Sequence, residues 1–369
     1  MPDPQVPDDD ISRWHAAIAP ELRAAFEEVL TGPRYTLGPN LREFEAEFAA
    51  YCGSHACVGI SSGTAALHLA LLALGVGPGD EVITVPNTYI ATAFAITYTG
   101  ALPVFVDVDP VTLNMDPAAL GPALTDRTKA ILPVHMYGQC ADIDAIRRAA
   151  PGVAVVEDAA HAHGATLGER HAGSLGDLAA FSFYPTKVLG ALGDGGAITA
   201  STPQLESRVR QLRYMGQQVK FDHAILGYQE RLDEMQAAFL RVKLRYLNEQ
   251  VGRRRRVASR YADLLGLTPL TLPPDDVTGR HSYYMYTVLA PERDALAAHL
   301  DKRGIGNMVI YPRLVTQAGA YASLPWRAGP IPVAETLPDR LLSLPMFAEL
   351  TDEEIERVGA VINEFYGTA

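Results

Sequence analysis

Apolar positions along this chain change their period, and the changes mark out its elements. Over residues 40–52 they recur at helical spacing, with Leu41, Phe44 and Phe48 on one side, after an earlier helical stretch at 21–30. From Ala56 onward, short β-branched runs at 57–60, 81–85, 104–108, 130–135, 153–157 and 179–183 alternate with helical stretches. That alternation predicts an α/β fold, a mainly parallel sheet covered by helices. From Arg231 an apolar stripe of Leu232, Met235, Phe239, Val242, Tyr246 and Val251 predicts a long helix leading into a second domain. Beyond it, a strand-like run at 283–289 and a helical one at 292–302 predict a smaller α+β domain. A chain of 369 residues exceeds what one hydrophobic core usually serves, so the expected division is 1–247 for the large domain and 248–369 for the small one.

Charge narrows the function. A net charge of −12 argues against binding nucleic acid through the overall field, which needs clustered Lys and Arg. The one dense basic run, Arg253 to Arg256, falls on a helix, where most of it is expected to face water. Cys52, Cys57 and Cys140 are odd in number and lack paired zinc spacing, so neither a disulfide framework nor a structural metal is expected. The first ten residues, MPDPQVPDDD, are acidic and Pro-rich rather than basic then apolar. No apolar run approaches the roughly 18 residues of a membrane span. A cytoplasmic protein without membrane contact is the expectation.

Several strand-like runs end in small or polar residues, and in open α/β sheets ligands sit outside the carboxyl ends of the strands. One such run leads through Phe181-Ser182-Phe183-Tyr184-Pro185-Thr186 to Lys187, just past its end, and then into a glycine-rich turn. A lysine there, if desolvated, offers the neutral amine that attacks an aldehyde, although a surface lysine satisfies the same spacing. Asp158 closes another apolar run, where a carboxylate needs a partner to offset desolvation; a pyridinium nitrogen would serve, and so would a cap or salt bridge. Ser61-Ser62-Gly63-Thr64 lies between a strand and the apolar helix through Leu67 and Leu71. It suits an anion at a helix N-terminus and equally a plain N-cap.

Taken in order, GTAALHLALLALGVGPGDEVITVPNTYIAT, PVHMYGQCADIDAI, VEDAAHAHGA, FSFYPTKVLGALGDGGA and RLDEMQAAFLRVKL resemble segments of the DegT/DnrJ/EryC1/StrS family of sugar aminotransferases. The resemblance spans nearly the whole chain and implies the aspartate aminotransferase-like fold (PLP fold type I), with pyridoxal 5'-phosphate as cofactor. It implies Lys187 as the Schiff-base lysine and general acid and base, with Asp158 at the ring nitrogen and Tyr89 stacked on the ring. Gly63, Thr64 and Ser182 would hold the phosphate, and His161, where many members have Gln, would donate to the ring hydroxyl oxygen. Gln229, where the family usually has Asn, would reach the phosphate in a neighbouring subunit, which implies a homodimer with shared sites. Tyr184, Lys220 and Tyr311 are the substrate-side candidates. The segment 311–316 lacks the histidine that many members place near the sugar. The implied reaction moves an amino group from L-glutamate or L-glutamine to a nucleotide-linked keto-deoxysugar, with C-3 favoured. Amination at C-4, amination of a free keto-cyclitol, and a cofactor-binding regulator without turnover are the alternatives.

Overall fold

The computed structural model describes residues 5–275, 277 and 279–368. Its centre is an eight-stranded sheet in the order Ala56–Ile60, Gly196–Ala200, Leu178–Ser182, Ala154–Asp158, Thr128–Ile131, Glu81–Thr84, Leu102–Phe105, Arg327–Ala328. Gly196–Ala200 runs antiparallel to both its neighbours and every other pairing is parallel. The strands that the apolar runs predicted are therefore there, some displaced by two residues toward the N-terminus. Gly196–Ala200 was not foreseen, because its glycine-rich approach reads as a turn. Its reversal puts the carboxyl ends of Ala56–Ile60, Ala154–Asp158 and Leu178–Ser182, together with the start of Gly196–Ala200, along one edge of the sheet.

Helices cover this sheet because its strands are apolar on both faces. The helix Gly63–Ala73 buries Leu67, Leu69 and Leu71 with strand residues such as Val58, Val156 and Ile198. The helix Pro39–Cys52 packs Leu41, Phe44 and Phe48 on the other side, with Phe48 edge-on to Phe181 at 4.9 Å between centroids. Its N-terminus is closed by buried Glu234, which accepts from the amides of Gly38, Asn40 and Leu41 at 2.7, 2.9 and 3.1 Å. A carboxylate there satisfies unpaired donors and complements the helix dipole.

The long helix expected from Arg231 is two helices, Glu234–Leu244 and Leu247–Leu265, broken at Arg245 and Tyr246. Its apolar stripe serves two partners. Phe239 and Val242 pack against Ile18, Leu22 and Val29 of the early helices, whereas Val257, Tyr261 and Leu265 enter a second core with Tyr286, Leu296, Phe347 and Val358. That second core also takes Val6, whose amide donates to Gly304 at 3.0 Å. Of the basic run, Arg253 and Arg256 are exposed as expected. Arg254 is not: it is buried, and its Nη1 donates to the carbonyls of Tyr283, Tyr284 and Met346 at 3.3, 3.2 and 2.8 Å.

Candidate active site

At the strand-end edge lies a cavity of about 580 Å3 whose walls include Gly63, Thr64, Tyr89, Asp158, His161, Ser182, Tyr184, Lys187 and Tyr311. Lys187 arrives there on a tight loop after Leu178–Ser182, in which the Lys187 amide donates to Tyr184 O at 2.9 Å and that of Ala191 to Phe183 O at 2.8 Å. Gly190 is required in this loop, since a Cβ on it would sit 2.3 Å from the carbonyl oxygen of Pro185.

Successive residues of a strand face opposite sides, and this divides the labour of Glu157 and Asp158. Glu157 points into protein, where Oε1 accepts from the amides of Leu175 and Gly176 at 2.9 and 2.7 Å and Oε2 from that of Gly173 at 2.8 Å. His135 Nε2 completes its shell at 2.8 Å. Asp158 faces the cavity, with Thr92 Oγ1 donating to one oxygen at 2.8 Å and the Ala160 amide to the other at 3.2 Å. These are too few partners for a buried carboxylate, and burial raises its pKa against the opposing pull of Thr92 and Ala160.

Burial also pushes the Lys187 amine down from 10.5 to about 7, with Asp158 resisting the fall. The amine is thus substantially neutral near pH 7, as a nucleophile toward an aldehyde must be. Its Nζ lies 4.1 Å from the ring centroid of Tyr284. His161 is buried and held neutral by burial first and Lys187 second. Its Nε2 is 3.3 Å from the Tyr311 hydroxyl, while Nδ1 has no hydrogen-bond partner. An orphaned ring nitrogen in a cavity wall is a place for a ligand oxygen.

Ser62 caps the helix Gly63–Ala73 by accepting from the Ala65 amide at 3.2 Å, so the Gly63 and Thr64 amides open the helix without intrahelical acceptors. Ser182 closes over them: a Cβ on Gly63 would lie 2.6 Å from Ser182 Cβ. Helix N-terminus, hydroxyls, unpaired imidazole, buried carboxylate and depressed amine together fit pyridoxal 5'-phosphate, from its phosphate to its ring nitrogen and aldehyde carbon.

Tyr89 opens the helix Ile90–Tyr98 at the cavity mouth, 59% exposed, its ring centroid 6.5 Å from that of Tyr311. Tyr184 is also exposed at the mouth. Gln229 and Lys220 are not brought to this cavity. Gln229 is exposed and bridges to Tyr214, and Lys220 is exposed on a hairpin, its Nζ 5.1 Å from the Phe221 ring. Sequence reasoning passed over Thr92 and Tyr284. Thr92 lies in the segment TYIAT that carried part of the resemblance, whereas Tyr284 comes from far along the chain with no local signal. Among the described residues, no group of three or more His, Cys, Asp and Glu could hold a metal ion, and no helix is long and apolar enough to cross a membrane.

Comparison with known proteins agrees with this chemistry. A relative from Streptomyces venezuelae named dTDP-3-amino-3,4,6-trideoxy-alpha-D-glucose transaminase is 44% identical, over 98% of this chain and 96% of its own length. A Geobacillus stearothermophilus relative named pleiotropic regulatory protein is 45% identical, over 98% of each chain. The crystal structure of S. venezuelae DesV in complex with a ketimine intermediate superposes with a TM-score of 0.95 at 44% identity, covering 98% of this chain and 99% of that one. The fold is that of the type I PLP enzymes, and the protein is a PLP-dependent aminotransferase. The family model for DegT/DnrJ/EryC1/StrS aminotransferases matches residues 16–363, and with the cavity built around Lys187 and Asp158 it places this chain in that family.

Proposed function

We propose that this aminotransferase moves an amino group from L-glutamate or L-glutamine to the C-3 keto group of a nucleotide-linked deoxysugar. The observation that carries the reading is a chain 44% identical to a named 3-amino-sugar transaminase and keeping a buried amine and carboxylate in one cavity. Bound pyridoxal 5'-phosphate supplies the aldehyde carbon that carries nitrogen and an electron-withdrawing ring. The chain does the rest. Lys187 holds the cofactor and, once released from it, moves a proton at the substrate carbon. Asp158 keeps the ring nitrogen protonated, and His161 Nδ1 meets the ring hydroxyl oxygen. The Gly63 and Thr64 amides with Ser182 hold the phosphate, and Tyr89 covers the ring.

The working unit in this reading is a cytoplasmic homodimer, each subunit dividing at 247/248. Gln229 reaches the partner subunit's phosphate site, and Tyr184, Tyr311 and Lys220 meet the sugar nucleotide. Exposed Val219, Phe221 and Leu226 near Gln229 support a subunit contact there. Incubation with glutamate or glutamine and 3-keto, 4-keto and cyclitol acceptors in turn, read by mass spectrometry, tests the reading. Amination of the 3-keto sugar nucleotide is the expected result, and product only from a 4-keto sugar or a free cyclitol overturns it. The name of the G. stearothermophilus relative favours one second reading, a regulator without turnover. It would show the cofactor's visible band unaltered by any amino donor.

A further inference from the structure

The Lys187 amine lies over the face of Tyr284, a cavity residue with no assigned contact to the cofactor. Tyr284 is buried, its ring centroid is 4.7 Å from that of His161, and its hydroxyl is 3.5 Å from Thr186 Oγ1 beside the lysine. Its carbonyl is one of the three that buried Arg254 ties together, so the ring is fixed from behind by the helix Leu247–Leu265. This also gives the otherwise unassigned Arg254 a task. A guanidinium spanning three carbonyls fixes the backbone that carries the ring.

We propose that the face of Tyr284 is the resting place of the Lys187 amine whenever it is free of the cofactor, and that the ring there favours its ammonium form against burial. A ring face is negative and attracts a cation at this distance, most strongly where water is excluded. The other titratable groups around Lys187 are Asp158 at the end of its strand, His161 and His163 in the turn after it, Tyr89, Tyr184, Asp194 and Tyr311 on the cavity wall, and Asp9, Asp10, His15, Lys243, Arg254 and Glu349 along the recess on its other side. His161 and His163 are held neutral by burial and by the lysine itself. Asp158 and the Tyr284 face therefore oppose the burial that disfavours the ammonium. Were Asp158 engaged at the ring nitrogen, the Tyr284 face would be the wall still favouring a proton on the amine, where a return transfer to substrate carbon would need it.

The inference rests on Lys187 being the cofactor lysine, and one experiment separates the two claims. Cofactor-stripped full-length protein is mixed with pyridoxal 5'-phosphate across pH, and the rate of appearance of the lysine-bound visible band is followed. Only the neutral amine reacts, so the rate rises through the midpoint of Lys187. Tyr284→Phe keeps the ring face and should keep that midpoint. Replacing that phenylalanine by its pentafluoro form preserves shape but reverses the charge of the face, and should lower the midpoint by about one pH unit. A midpoint indifferent to fluorination overturns the role of Tyr284, as does a Phe variant already shifted that far. A band that still forms in Lys187→Ala overturns the assignment of the lysine instead.

Discussion

Replacing Glu157 by Gln removes one charge and turns one acceptor into a donor in the most completely satisfied carboxylate beside the site. The Ala141 amide donates to His135 Nδ1 at 3.0 Å, so the imidazole proton sits on Nε2 and points at Glu157. All four contacts to this side chain are therefore donors, two at each oxygen. A Gln oxygen can serve one pair, and its NH2 must then face the other pair, donor against donor. Losing two hydrogen bonds to a buried charge costs about 3–5 kcal/mol. That is a large share of a typical domain's stability. Urea unfolding of the cofactor-free proteins, compared at equal m, should show that loss. Asp158→Asn should behave in the opposite way. Its carboxyl has only two partners, the Ala160 amide and the Thr92 hydroxyl, and a hydroxyl can turn to accept from an amide NH2, so stability should change by under about 1 kcal/mol while amino transfer falls at least about a hundredfold. A Glu157→Gln protein within about 1 kcal/mol of wild type refutes the assignment of partners.

Three further outcomes are expected. The folded amine of Lys187 has a pKa of about 7 against 10.5 when exposed, so between these values the unfolded chain binds the extra proton. Cofactor-free protein should then gain stability as pH rises through this window, and Lys187→Met should flatten the slope relative to wild type, as read by denaturation at each pH. Gly63→Ala places a Cβ 2.6 Å from Ser182 Cβ and 3.2 Å from its Oγ, so it should weaken pyridoxal 5'-phosphate binding at least about tenfold with little loss of fold, as measured by titration. Lys243 is buried and donates to Gly190 O at the end of the Lys187 loop at 2.7 Å and meets His15 Nε2 at 2.8 Å. Lys243→Met should loosen that loop, seen as faster amide hydrogen exchange at 184–191 than in wild type.

The strand endings were legible because they are local. Gly63, Asp158 and Lys187 each stand at or within a few residues of the end of an apolar run, and that position carries chemical meaning whatever the rest of the fold does. The resemblance supplied roles that spacing left open, such as those of His161 and Ser182. Partners brought in from a distance gave no such sign. Tyr284 sits in a run that reads as a strand from residue 283, yet Tyr283 takes a positive φ of 47° and the strand starts only at Tyr286. That turn aims the Tyr284 ring at the lysine, and no periodicity announces it. Arg254 was hidden in the same way: within a basic run, which member faces inward depends on the carbonyls waiting there. Gln229 and Lys220 lie outside the cavity lining, and their spacing in the sequence gave no sign of that.

Burial pushes the Asp158 carboxyl up and the Lys187 amine down to about 7, so the charged form of each is disfavoured relative to water. Such a pair adds little to stability, and two apolar residues would fold as well. What it gains is a response to one kind of ligand. A protonated ring nitrogen would offer Asp158 a cation that favours its ionised form, and an aldehyde carbon would be the partner for the Lys187 amine. A phosphate would find the Gly63 and Thr64 amides at the helix N-terminus, where they have no intrahelical acceptor. Each group in the cavity is thus left short of a partner in a different way, and the shortages match the two ends and the middle of a single molecule. Asp158 and Lys187 do favour one another's charged forms, but burial outweighs that pull at both groups, and so each is left to gain from a ligand.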